Sequence, residues 1–267
     1  MAWVIKMYLI LRKPEIYYGA LDNLAHTLPA GTSESELRSA VHRLMGHTTR
    51  GYYHLFHNLG QEDFRLDKLD PPVRISSEVQ GFLDGAFAQG RGLFIAGTHM
   101  SNFDLGGIAL SYYTPVPPQA LSIADPAPGH EFVNQLRLKG RGKLTPVSPG
   151  ALREAMQRLR EGGIVITGVD HPLTQGNRPV RFFGKTACLP VGYIRIPLAA
   201  DALVMTVSFV YDGEAYHILG NPPFEMIRTG DRQRDVELNV ARILAEIEDF
   251  VRLAPDQWMI FERVWAE

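Results

Sequence analysis

From about Val73 the chain alternates short apolar or β-branched runs with stretches of helical period, and no other feature narrows its possible folds so far. The runs are "VRIS", "GLFIAG", "QALSIAD", "GKLTPVS", "GIVITGV", "PVRFFG" and "ALVMTVSFVY". Short strands separated by helical segments must be joined by crossovers, which makes βαβ units. The sequence therefore predicts an α/β fold, with a mixed, largely parallel sheet flanked by helices on both faces. Residues 71–267 form this body, closing with a charged periodic helix, "DRQRDVELNVARILAEIEDFVRLAP", and an aromatic tail, "DQWMIFERVW". Residues 1–70 read as helices instead, broken at Pro14 and at "LPAGTSESE", where Ser33 and Glu36 have capping-box spacing. No repeat, low-complexity segment or linker separates the two parts, so the helical front is expected to pack on the body as one domain over 1–267.

Composition closes off several functions. The chain is 45% hydrophobic, enough for a large core, and its formal charge of -2 offers nothing to draw nucleic acid. A lone cysteine, Cys188, excludes an internal disulfide and a multi-cysteine zinc site, and fits a reducing compartment. The opening "MAWVIKMYLIL" is apolar with Lys6 inside it, and falls short of the roughly 20 residues a membrane-spanning helix needs. Two readings of it stand: a core helix, or a helix lying in a membrane surface.

The candidate chemistry sits in "GTHMSNFD", just after the predicted strand "GLFIAG". His99 follows the strand exit, Asn102 can cap the next helix, and Asp104 falls in that helix's first turn. A histidine with a carboxylate suits proton removal from a hydroxyl, the imidazole taking the proton and the carboxylate fixing its tautomer. The spacing alone is weak: His57 and Glu62 share it at the end of a predicted helix, without a strand before them. Strand context selects His99 as base and Asp104 as its orienting partner. Between Phe132 and Arg153 there is no acidic residue, while Arg137, Lys139, Arg141 and Lys143 fall at every second position. That cluster reads as a seat for a phosphate-bearing ligand or as a solvated basic edge. Asp170, at the exit of "GIVITGV", can accept hydrogen bonds from substrate hydroxyls, hold an arginine, or cap its own loop. Arg181 adds a cation either to the crevice or to the surface.

Several tempting signals fail. "FFGKT" ends like a phosphate-binding loop, but Pro179 stands where its first glycine belongs. There is no G-x-S-x-G elbow, and Cys188 has no activating neighbour in sequence. His26, His42, His47, His54 and His57 crowd the helical front, but polar helix faces explain them without a metal.

The ordered blocks "GTHMSNFD", "FVNQLRLKGRGKLTPVS", "ALREAMQRLREGGIVITGVDHP", "RPVRFFGKTACLPVG" and "APDQWMIFERVW" resemble the bacterial lipid A late acyltransferases, a family that includes lauroyl, myristoyl and phosphatidylinositol mannoside acyltransferases. The resemblance runs from about Gly92 to the C-terminus. It implies a glycerolipid acyltransferase-like fold and transfer of a fatty acyl group from acyl-CoA or an acyl carrier protein to a hydroxyl of a membrane glycolipid. It implies His99 as the base of an H-x4-D/E motif completed by Asp104, and Arg137 foremost in the site; Asn102, Lys139, Arg141, Asp170 and Arg181 are the further substrate-binding expectations, read from the residues themselves. A carrier thioester is already activated, so no metal or cofactor is expected. The short apolar opening departs from the membrane-spanning first helix usual in the lipid A branch, so a peripheral place on the cytoplasmic face of the membrane, as in the mannoside branch, is expected instead. The Pro-Glu-Gly-Thr-Arg block of glycerol-phosphate acyltransferases is missing, "ITGVDHPLTQG" standing in its place. Lysophospholipid acylation and idle lipid binding are the rival expectations.

Overall fold

The computed structural model describes residues 15–60, 64–124 and 128–265. The apolar opening at 1–11 and Glu62 of the His57 comparison lie outside them. Helix α1 (Glu15–Thr27) leads into α2 (Glu34–Leu59), which starts at the capping box foreseen in the sequence: Glu36 N–H donates to Ser33 Oγ, and Ser33 N–H donates back to the Glu36 carboxylate. The body follows as β1 (Val73–Ile75), α3 (Ser77–Ala88), β2 (Leu93–Gly97), α4 (Phe103–Tyr113), β3 (Gln119–Ser122), α5 (Pro128–Arg137), β4 (Lys143–Pro146), α6 (Pro149–Arg160) and β5 (Ile164–Gly168). A hairpin, β6 (Asn177–Phe182) with β7 (Lys185–Pro190), precedes α7 (Arg195–Ala200), β8 (Leu203–Tyr211), β9 (Tyr216–Gly220) and α8 (Arg232–Leu253).

Seven strands form one sheet in the order β1-β9-β8-β2-β5-β3-β4, parallel except at the β8–β9 pair, and β6–β7 stands apart. The expected α/β architecture, mixed and largely parallel, is present. Strand β2 shows why both faces must be covered. All five of its residues are buried, with Phe94 and Ala96 packing into one core and Leu93 and Ile95 into the other. The period-2 alternation of a strand sends successive side chains to opposite faces, so an all-apolar strand needs two lids. Helices α6, α7 and α8 with the hairpin cover the first face, and α2 to α5 cover the second.

The helical front grips the C-terminal tail. Asn23 on α1 donates to the carbonyls of Ile260 and Glu262 and accepts from Val264 N–H. Gly19 allows this approach, since a Cβ there would stand 1.7 Å from the Phe261 carbonyl oxygen. Tyr17, Leu24, Leu44 and Met45 close a third core, against which Met259 and Phe261 pack.

Candidate active site

The sheet itself brings the site together. Strands β2 and β5 are parallel neighbours in register, Gly97 opposite Gly168, so residues two places beyond each strand exit, His99 and Asp170, meet above the sheet. His99 Nδ1 lies 2.6 Å from Asp170 Oδ1, and His99 N–H also donates to the carboxylate at 3.0 Å. Trp258 Nε1–H donates to the second oxygen, Oδ2, at 2.9 Å. The Asp170 side chain is wholly buried, whereas that of His99 is 23% exposed. Burial works against ionisation of Asp170, but its electrostatic and hydrogen-bonding contacts with His99 and the Trp258 indole outweigh it and hold the carboxyl below its ordinary range. An ionised carboxylate only accepts, so Nδ1 is the ring nitrogen that donates to Asp170.

Neighbouring segments fix this geometry. The loop after β2 is tied to the tail by Ser101 N–H to the Gln257 carbonyl and Met259 N–H to the His99 carbonyl. Ser101 turns the chain in the left-handed region, φ 52, before Asn102 caps α4 by accepting from Leu105 N–H. Asn102 also donates to the Gly51 carbonyl, fastening the loop to α2. The His99 ring rests on the bare backbone of Gly168, where a Cβ would come within 2.3 Å of Cε1.

The expectation that Asp104 orients His99 is corrected. Asp104 accepts from Arg137 Nε at 2.6 Å, and Arg137 donates again to Asn134 Oδ1 at 2.8 Å. The first turn of α4 directs Asp104 toward α5, while Phe103 places its ring edge-on to His99 at 4.8 Å and under the Arg137 guanidinium at 6.0 Å. Asp170, of which the sequence left three readings open, takes the orienting position instead.

Of the basic cluster, Arg137 alone joins these groups. Lys139 donates to the Leu59 carbonyl, Arg141 to the Thr114 carbonyl, and Lys143 pairs with Glu154. Among the described residues, none of these three contacts reaches His99, Asp104 or Asp170. Arg181 lies in a separate groove with residues of α7 and α8. His54 of the helical front hydrogen-bonds Tyr216 Oη at 2.8 Å, and among the described residues no three His, Cys, Asp or Glu side chains gather to hold a metal.

Two residues of the site escaped the sequence reading. Trp258 is fully buried beneath Asp170, and only its place in the aromatic tail hinted at it. His171 sits 5.3 Å from the His99 ring; its Nε2 lies 3.0 Å from Glu262 and its Nδ1 2.7 Å from the Pro172 carbonyl. Both partners are acceptors, so both nitrogens must donate and the ring is an imidazolium. Burial alone would lower the His171 pKa, but Glu262 outweighs it and raises the value, while the same contact draws Glu262 down to about 2. Its position next to Asp170 at a strand exit was the signal available. Exposed Tyr52, Phe56 and Phe132 stand together on the α2–α5 side, with Tyr52 close enough to sense the charges of Asp104 and Arg137.

A carboxylate-oriented imidazole at the strand exits of a doubly covered parallel sheet, with an arginine alongside, defines an α/β protein equipped to activate a hydroxyl and bind an anionic or carbonyl-bearing substrate. Residues 17–267 match the family model described as bacterial lipid A biosynthesis acyltransferase, and the chain belongs to that family of lipid-biosynthesis acyltransferases. No curated protein matches the chain. No helix among the described residues is long and apolar enough to cross a membrane.

Proposed function

We propose that the protein transfers a fatty acyl group from an acyl-CoA or acyl carrier protein thioester to a hydroxyl of a membrane glycolipid, in a ternary complex, working peripherally at the cytoplasmic face. The observation that carries this reading is the Trp258–Asp170–His99 chain, in which the buried carboxylate engages Nδ1 of a partly exposed imidazole and leaves Nε2 for a substrate hydroxyl. His99 Nε2 takes the proton as the acceptor oxygen attacks the thioester carbonyl carbon. Asp170 holds the tautomer and balances the imidazolium. As the tetrahedral intermediate collapses, the C–S bond breaks, the ester remains, and the proton passes from His99 to the thiolate. Arg137, steered by Asp104, stands ready for the oxyanion or for a phosphate of either substrate. The thioester is already activated, so this chemistry asks for no further cofactor.

The test is thiol release from palmitoyl-CoA and from palmitoyl carrier protein, with and without a total bacterial lipid extract, for the wild type and His99→Ala. Release that needs His99 and accelerates with lipid is the expected result, and the labelled product then separates glycolipid from lysophospholipid as acceptor. Release indifferent to lipid would make the protein a thioesterase. No release from either donor would make it a lipid-binding relative.

A further inference from the structure

A groove of about 1250 Å³ runs between β6, α7 and the N-terminal half of α8, and no residue of the His99 site lines it. Ligand pockets usually enclose about 300–1,000 Å³, so there is room here for a sizeable small molecule. Its apolar lining comes from Val180, Val191, Leu198, Val236, Val240 and Leu244. Five arginines surround that lining: Arg178, Arg181, Arg195, Arg228 and Arg232. Arg228 is committed to Asp201 at 3.1 Å and to the Leu198 carbonyl. The other four have no carboxylate within ion-pair distance among the described residues; Arg178 makes only a contact to the Asn177 carbonyl.

The acids at the groove, Asp235 and Glu237, offset only part of this charge. The Asp235 carboxylate accepts from Thr229 N–H and Oγ1, capping a turn, and Glu237 pairs with Arg234 outside the lining. Five arginines against Asp235 and Glu237 leave the groove net positive, and an anion relieves the repulsion among the guanidinium groups. The chain carries a formal charge of -2, so the cluster is not a local sample of a basic protein. A planar guanidinium fork matches phosphate oxygens in pairs. The apolar lining asks for hydrocarbon beside that charge. A β-strand is a poor occupant, because β6 has β7 as its strand partner and carries Pro179 between Arg178 and Arg181, residues that withhold its edge from pairing.

We propose that this groove binds a single phosphate-bearing amphiphile, its phosphate held by arginines that line it, Arg195 and Arg232 foremost, and its acyl chains along the apolar lining, at a site separate from the catalytic crevice. This inference goes beyond the acyl-transfer reading and does not depend on it, since binding here calls on neither His99 nor a thioester.

The probe is dihexanoyl phosphatidic acid below its micelle concentration, titrated calorimetrically into the full chain. Inorganic phosphate and dihexanoyl phosphatidylcholine serve as comparison ligands. Saturable binding at least tenfold tighter than either comparison ligand is expected. It should weaken at least tenfold in Arg195→Gln/Arg232→Gln and in Ala241→Trp, which places a bulky ring on the exposed rim of the groove, and persist in His99→Ala. Circular dichroism of each variant, matched to the wild type, separates lost binding from lost folding. Equal affinity for inorganic phosphate would reduce the groove to a simple anion site and overturn the amphiphile. Binding unaffected by both groove variants, lost in His99→Ala, or absent altogether would overturn the site.

Discussion

At the scale of single residues, two aspartates divide the contacts of the site between them. Asp170 fixes the His99 tautomer, and Asp104 steers Arg137. Asp170→Asn keeps the shape but can offer an amide donor to Nδ1, turning the imidazole so that Nε2 carries the proton; kcat should fall by roughly 10³–10⁴-fold. Asp104→Asn leaves the base intact and loosens Arg137, so a loss of roughly 10–100-fold is expected, about the worth of one charge-assisted hydrogen bond. Steady-state acyl transfer by both variants checks this, and equal losses would return the orienting role to Asp104. His171 and Glu262 make a second residue-scale prediction. Glu262 is drawn below its ordinary 4.5 to about 2, so its part of the stability is present above pH 4.5 and lost as pH falls toward 2. His171 is raised above 6.5, so its part is full below pH 6.5 and lost as pH rises through the elevated value. The pair therefore contributes most between pH 4.5 and 6.5. Urea midpoints measured across pH should show the wild type losing stability on the neutral side relative to His171→Gln; parallel curves for the two would sink the assignment.

At the scale of elements, the site depends on two parallel strands ending in register. Gly168, the last residue of β5, faces the His99 ring at a distance that a methyl group would violate. Gly168→Ala should displace the imidazole by enough to cost about 10²-fold in kcat, as misplacement of about 1 Å does, with the thermal midpoint little changed. A variant with full activity would show that the ring has slack. The elements also explain the mistaken partner. His99 and Asp104 are close in sequence, but a strand exit and a helix's first turn lie between them, and that turn aims Asp104 at α5. His99 and Asp170 are 71 positions apart and are joined by one step across the sheet.

At the scale of the whole molecule, α1 holds the tail and the tail holds the His99 loop. Asn23 satisfies three backbone groups of the tail, and the tail in turn supplies Gln257 O and Met259 N–H to the His99 loop and the Trp258 indole to Asp170. Asn23→Ala strands polar backbone groups in a buried place and should cost about 2–4 kcal/mol of stability. Faster amide exchange at Met259 and Ser101 is expected with it. Unchanged exchange there would separate the helical front from the site.

The sequence by itself determined the α/β class, the helical front with its Ser33 capping box, and the placing of His99 just past a strand exit, because periodicity, capping and strand-exit position are local properties of neighbouring residues. It also brought Asp170 and Arg137 to notice through their positions at a strand exit and in an acid-free stretch. What it left open was who meets whom. The His99–Asp170–Trp258 chain, the His171–Glu262 pair and the gathering of Arg181 with the arginines of α7 and α8 join residues distant in the chain. Only the tertiary structure decided these contacts, since strand register, helix direction and the path of the tail set them, and no local pattern encodes which distant side chain a sheet will bring to within a hydrogen bond.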